Sequence, residues 1–114
     1  MPHAEIKFSS DLSFDAVAVL RVIETTILEH DDGSGACKGR AYPTDLFHHS
    51  HCLIAISMLR KPHRDTAFTA RLLDALELAI KQQIKEPCYF SLVLDYSPMT
   101  YVTNTHPGAV ETLD

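Results

Sequence analysis

The sequence has few basic residues, few cysteines and no long apolar run. Ten lysines and arginines against fifteen acidic residues give a formal net charge of −5. This balance argues against a nucleic-acid or anionic-membrane partner, because both require clustered positive charge. No apolar segment approaches the roughly 18 residues of a membrane-spanning helix, and the amino terminus lacks the basic and apolar stretches of a signal peptide. We therefore expect a soluble cytoplasmic protein, in which any basic group in a pocket is of special interest.

The three cysteines, Cys37, Cys52 and Cys88, have neither CxxC spacing nor an even number. A disulfide framework or a zinc site is therefore poorly supported, and reduced thiols fit better. Cys52 and Cys88 are expected to be small buried hydrophobic residues. Cys37 is a candidate nucleophile, because the charges of Lys38 and Arg40 are expected to lower its pKa.

The chain opens with an alternating pattern. Apolar Ala4, Ile6 and Phe8 are separated by polar residues, which is the period of a half-buried strand. Pro2 has the parity of the apolar set, so its ring is expected to face the interior.

The remaining pattern fits a single domain over residues 1–114, long enough to bury an ordinary core. Apolar spacing predicts helices over 14–30 and 65–84, with Asp11 to Ser13 and Asp65 as the helix starts, strands over 37–42, 51–59 and 89–96, and a short edge strand over 100–104. The tail over 106–114 is expected to dock loosely or fray. The order β-α-β-β-α-β predicts a two-layer α/β (α+β) sandwich with both helices on one face of the sheet. The segment over 51–59 is apolar on both sides, and a bare apolar sheet face implies a partner subunit.

Pro2 would carry a secondary amine once Met1 is removed. An ordinary α-amino group has a pKa of about 7.7 to 8.0, and burial or nearby cations move it lower. The amine would then be a neutral general base at physiological pH. The alternative is that Pro2 merely begins a strand, where its missing N–H is tolerated.

Several segments together resemble one known family. The opening MPH with its alternating strand, the order of elements, and the segments GACKGRAY and KPHRDTAFTARLLDALELAIK are similar to 5-carboxymethyl-2-hydroxymuconate isomerase, of the tautomerase superfamily. The resemblance extends from Pro2 to about His106. It implies a tautomerase-like subunit, a homotrimer, and isomerisation without a cofactor, with the amino-terminal proline as general base.

The resemblance also implies a set of substrate-binding residues. Arg64 matches the arginine that opens the family's second helix and is expected to hold a substrate carboxylate, for which a guanidinium is well shaped. Arg40 matches the second arginine of an Arg-Ser-Arg stretch, whereas Lys38 replaces the first, which alters the geometry of any carboxylate contact. Lys61 and Pro62 replace small residues of the turn before the helix, so the shape of the pocket there is expected to differ. The alternative for both arginines is a solvated surface charge.

The resemblance therefore implies an enzyme that shifts a double bond in an unsaturated, carboxylated enol or keto acid from aromatic catabolism. One alternative is the same fold acting on another small enol or 2-keto acid. A second alternative, suggested by Lys38, is an oligomeric module that has lost catalysis and serves in binding.

Two further groups of side chains are candidates for a functional role. His48, His49 and His51 are dense enough to suggest a transition metal, but on an extended segment His48 faces away from His49 and His51. A surface connection between strands without a metal is therefore expected. Tyr42 and Tyr101 are possible proton donors, although strand tyrosines more often pack, and the general acid is left unassigned.

Overall fold

The computed structural model describes residues 1–109. The elements, in chain order, are β1 (His3–Ser9), α1 (Ala16–His30), β2 (Lys38–Thr44), β3 (His51–Leu59), α2 (Thr66–Lys81) and β4 (Tyr89–Ser97). This is the predicted order β-α-β-β-α-β. Neither helix in this part of the chain is long and apolar enough to cross a membrane.

The four strands form one sheet in the order β2-β1-β3-β4. The strand β1 runs parallel to β2, and β3 runs parallel to β4. The two central strands, β1 and β3, pair antiparallel. The fold therefore consists of two βαβ units joined through the middle of the sheet. As a result, the first residues of β1 and β2 lie at the same end of the sheet as the last residues of β3 and β4.

Both helices pack on the same face of the sheet, as predicted, and the core lies between the two layers. Side chains of one parity on β1 and β3 are fully or almost fully buried together with the inner faces of the helices. The opposite face of β3 is open in the single chain, where Leu53 is 41% exposed. This agrees with the bare apolar face expected from the sequence, because no element of the described residues covers it.

The two helix starts illustrate how local chemistry sets an element's bounds. Asp65 caps α2 by accepting a hydrogen bond of 2.8 Å from the N–H of Phe68, as the sequence predicts. For α1 the capping residue is Asp15, whose Oδ1 accepts from the N–H of Ala18. The predicted start at 11–13 is wrong because Ser13 instead donates its N–H to Glu86 over 2.8 Å.

The carboxyl-terminal part of the chain is irregular. Residues 98–109 form no helix or strand, so the predicted edge strand over 100–104 is wrong. The predicted loose tail over 106–114 falls partly outside the described residues, since 110–114 are not among them. The second helix also ends at Lys81, before the predicted limit of 84, where the chain enters a turn closed by the N–H of Ile84 on the Lys81 carbonyl.

Candidate active site

Pro2 lies at the entrance to β1 with its ring fully buried, which confirms the predicted orientation. Its carbonyl accepts a hydrogen bond of 2.9 Å from the backbone N–H of Lys38. This bond extends the β1–β2 ladder by one residue beyond β1. The backbone of Pro2 is therefore held by the sheet, while its ring is buried in the fold.

Three cations surround the amino terminus. Burial of the Met1 amine lowers its pKa below the ordinary 8.0, and the charges of Arg64, Lys61 and Lys38 lower it further, whereas Cys37 acts in the opposite direction. The same surroundings would act on an amine at the next residue, Pro2. Lys61 belongs to this group although sequence reasoning treated it only as a change in the shape of a turn.

Arg64 is buried at this end of the sheet, with only 2% of its side chain exposed. Its Nε donates to Oδ2 of Asp31 over 2.9 Å, and Nη2 lies 2.8 Å from the same oxygen. Its Nη1 donates to the carbonyl of Leu59 over 2.6 Å. The role predicted for Arg64, holding a substrate carboxylate, stays a prediction. The guanidinium already has protein acceptors at both Nε and Nη1.

Asp31 was missed by sequence reasoning, which assigned it no role in the site. Its side chain is 8% exposed, and its Oδ2 also lies 2.8 Å from Nε2 of His63. Burial raises the pKa of Asp31, but hydrogen bonds from His63 and Arg64, together with their charges, outweigh burial and leave that pKa below its ordinary value of 3.8. The signal that could have identified Asp31 is its place in the predicted topology. Two successive βαβ units bring the end of α1, where Asp31 lies, next to the start of α2.

Lys38 and Arg40 project from the open face of the sheet. Between them, Gly39 faces α1, since an added Cβ would lie 2.6 Å from Cδ2 of Leu20. Arg40 is paired in register with Glu5 and donates to its Oε1 from Nε and Nη2, over 3.0 and 2.7 Å. Within one chain, then, the backbone of Lys38 contacts Pro2, whereas Arg40, on the same open face as Lys38, contacts Glu5.

Two grooves open at this end of the fold. One, of about 570 Å³, lies between α2 and the end of β4 and is lined by Arg60, Arg64 and Tyr96 among others. The Arg60 guanidinium lies 5.8 Å from the centre of the Tyr96 ring, within the range of a cation–π contact. The other groove, of about 420 Å³, lies on the open face and includes Arg40 and Tyr101. A candidate ligand therefore has room in either groove at this end of the sheet.

The surroundings of the three cysteines raise the pKa of each thiol. Burial, with a contribution from Glu24, raises the pKa of Cys37 from 9.0 to about 11. The prediction that Lys38 and Arg40 lower this pKa is wrong, because burial and an acidic neighbour outweigh the nearby lysine. Burial likewise raises the pKa of Cys52 to about 11 and raises that of Cys88. Cys52 is buried and Cys88 half-buried, as small apolar residues would be.

The histidine segment forms a surface connection from β2 to β3, as predicted. His49 has a positive φ of 65°, and its carbonyl lies 2.9 Å from Nδ1 of His51. In residues 1–109, no group of three His, Cys, Asp or Glu side chains is placed to hold a metal ion. Tyr42 is half-exposed on the open face of β2, at the end of that strand away from Pro2.

Comparison with known proteins places this geometry in a fold family. The chain matches no family model and no curated protein sequence. It is similar to a solved 5-carboxymethyl-2-hydroxymuconate delta-isomerase, with a TM-score of 0.73 and 19% identity over 93% of this chain and 89% of that one. A 5-carboxymethyl-2-hydroxymuconate isomerase from Deinococcus radiodurans R1 gives 0.72 and 15%, over 91% and 90%. A fused 4-OT symmetric trimer gives 0.72 and 14%, over 94% of each chain. The chain therefore has the fold of the tautomerase superfamily.

Proposed function

We propose that this protein is a cofactor-independent isomerase that shifts a double bond in a small unsaturated enol or keto acid. The observation that carries the proposal is the setting of Pro2, whose ring is fully buried and whose neighbour Met1 bears an amine on which three cations act. Burial and nearby cations favour the neutral form of an amine, which is the form that acts as a general base. The fold shared with solved isomerases supports the same reaction class.

The reaction needs one base that gives back the proton it takes. The amine of Pro2 removes a proton from the enol oxygen or from a carbon next to the conjugated system. The electron pair moves through that system to form a dienolate, and the Pro2 ammonium returns the proton at a different carbon. No atom is gained or lost and nothing is oxidised. The protein must therefore supply charge stabilisation for the dienolate and a site for its carboxylate.

Lys38 and Arg64 carry these two tasks within one chain. The exposed Lys38 binds a substrate carboxylate next to Pro2, while Arg64 contributes its positive charge and any N–H that its protein acceptors leave open. Arg40 belongs to the proposed site through a neighbouring subunit, because in its own chain its guanidinium is paired with Glu5, two residues further along β2 than Lys38. A homotrimer packed on the open sheet face, where Leu53 and Val93 are exposed, would bring it there.

The decisive test compares two forms of the chain that differ only at the Met1–Pro2 bond. Intact-mass measurement identifies which form begins at Pro2 and which retains Met1. The enol-to-keto conversion of a 2-hydroxymuconate-type acid is followed by the loss of enol absorbance. We expect activity in the processed form and its loss when Met1 is retained, because the amide nitrogen of Pro2 then has no basic lone pair. Equal rates for the two forms would contradict the proposal.

The same assay defines the substrate class. A dicarboxylated enol should react faster than a monocarboxylated one such as the enol of phenylpyruvate, because two cations of the proposed site, Lys38 and Arg64, are close enough to act on the amino terminus. The reverse preference would favour the alternative of a smaller enol or 2-keto acid. A processed protein that converts neither acid would favour the binding module.

A further inference from the structure

The contacts of Asp31 join three elements at the amino-terminal end of the fold. Asp31 follows the last residue of α1, Leu59 ends β3, and Arg64 precedes the capping residue of α2. Arg64 spans the gap between them through Asp31 Oδ2 and the Leu59 carbonyl. Both charged side chains are more than nine-tenths buried. The guanidinium is therefore fixed in position by contacts that solvent does not easily replace.

Such a pair is sensitive to the loss of either partner. When one member of a buried ion pair is removed, the other is left as an uncompensated charge and moves toward water if it can. Arg64 is close enough to the amino terminus for its charge to act on the amine there, as are Lys61 from the β3–α2 connection and Lys38 from β2. Cys37, which precedes β2, faces the same amine. The position of Arg64 consequently bears on the protonation of that amine.

We infer that Asp31 is a positioning residue for Arg64, holding its guanidinium as a fixed charge whose field reaches the amine of Pro2 in the processed chain. This inference rests on the proposed function for its catalytic meaning. Arg64 then acts on the reaction through the effect of its positive charge on the pKa of the Pro2 amine. Asp31 determines the position of that charge. His63, whose Nε2 contacts the same Asp31 oxygen, is the third group facing the carboxylate.

Two variants of Asp31 separate the effect of its negative charge from the effect of its hydrogen bond to Arg64. In Asp31→Asn the amide oxygen still accepts from Nε, so Arg64 stays while a negative charge is lost. The pKa of the Pro2 amine should then fall, because a negative charge that favours the protonated amine is removed. In Asp31→Ala the acceptor is lost as well, and Arg64 turns toward water. The pKa of the amine should then rise above that of the unsubstituted protein.

The measurement is an NMR titration of Pro2 labelled with ¹⁵N in the processed full-length chain, with His63→Gln as a matched control. Shifts of opposite sign in the two Asp31 variants support the inference. A merely structural role of Asp31 would lower the melting temperature of both Asp31 variants and leave the pKa of the amine unchanged. That result would overturn the inference, as would pKa shifts of the same sign in the two variants. If Asp31→Ala does not fold, Arg64→Gln replaces it, since loss of the guanidinium charge must also raise the pKa.

The titration needs no substrate, so it is independent of the proposed reaction. If the processed protein isomerises no enol acid, the proposed function fails while the titration still decides the role of Asp31. If activity is present, the acid limb of the pH profile of kcat/KM should move with the titration, to lower pH in Asp31→Asn and to higher pH in Asp31→Ala.

Discussion

The carbonyl of Pro2 accepts a hydrogen bond of 2.9 Å from the backbone N–H of Lys38. This bond aligns the start of β1 with the start of β2, and it fixes the backbone of the lysine beside the residue proposed as general base. The lysine side chain is exposed and lies in the part of the site that a ligand can reach. The backbone bond thus survives substitution of the side chain, which makes Lys38 suited to mutagenesis.

Lys38→Gln is expected to raise KM for a carboxylated enol by about tenfold, which corresponds to the loss of about 1.4 kcal/mol of binding. The change in kcat should be smaller, because the carboxylate remains charged throughout the reaction. Steady-state kinetics on the processed protein checks this, and Lys38→Arg should restore most of the affinity. Lys85→Gln removes an exposed lysine at the opposite end of the sheet and provides the control. A KM within twofold of the unsubstituted value would exclude Lys38 from the site.

Arg40 offers a test of the proposed trimer through mixed assemblies. Chains that retain Met1 have a blocked Pro2 but an intact Arg40, and Arg40→Gln chains have the reverse. Each preparation alone should be inactive if Arg40 serves the site of a neighbouring subunit. Random mixing at equal amounts should restore about a quarter of full activity, because each site draws its two parts from different chains. The measurement is activity after joint refolding, and full activity of Arg40→Gln alone would show that the reaction does not need Arg40.

Cys37 is expected to resist alkylation. With its pKa raised from 9.0 to about 11, the thiolate fraction near neutral pH is about a hundredfold lower than for an ordinary thiol. Mass spectrometry after brief treatment with iodoacetamide at pH 8 should find Cys37 unmodified in the folded protein and modified after denaturation. Cys37→Ala should also retain isomerase activity. Rapid modification of the folded protein at this residue would show that the thiol is exposed or activated.

The parts of the fold that follow from local pattern were predictable from the sequence, and those that depend on pairing were not. The alternation around Ala4, Ile6 and Phe8 sets the inward face of β1, and Asp65 marks the start of α2, because both signals are contained in a few neighbouring residues. The buried contact between Asp31 and Arg64 joins residues 33 positions apart. Nothing local distinguishes Asp31 from the acidic loop residue beside it.

The same distinction holds for the candidate site. The orientation of Pro2 follows from its parity on the first strand. The separation of Arg40 from Pro2, by contrast, depends on the register of β2 against β1, in which Arg40 lies opposite Glu5. Register between parallel strands is set by the intervening helix and its packing, so the two residues seemed closer in the sequence argument than they are.

Glu86→Gln is expected to reduce the dependence of stability on acidic pH. Hydrogen bonds from the hydroxyl and N–H of Ser13 lower the pKa of Glu86 below its ordinary value of 4.5. A lowered pKa stabilises the fold above the unfolded value, and that stabilisation is lost as pH falls through the folded value. The melting temperature of the unsubstituted protein should therefore exceed that of the variant above about pH 5, and the difference should close at lower pH.

Thermal unfolding followed by circular dichroism between about pH 3 and pH 7 measures this difference. Glu77→Gln is the matched control, since Glu77 forms an exposed ion pair with Lys81 within α2, and such pairs contribute little to stability. A difference between Glu86→Gln and the unsubstituted protein that stays constant down to pH 3 would show that the hydrogen bonds do not depend on the charge of Glu86.

The antiparallel pairing of β1 with β3 also has a consequence for how the chain folds. Within the described residues, it is the ladder that joins the two βαβ units, and its partners lie far apart in sequence, as His3 and Ser57 do. Closing a loop of this length before any contact stabilises it is entropically costly, and such steps slow folding. The site around Pro2 is completed only when that ladder forms, because Pro2 belongs to the first unit and Arg64 to the second. Assembly of the two halves and assembly of the site are thus one kinetic event.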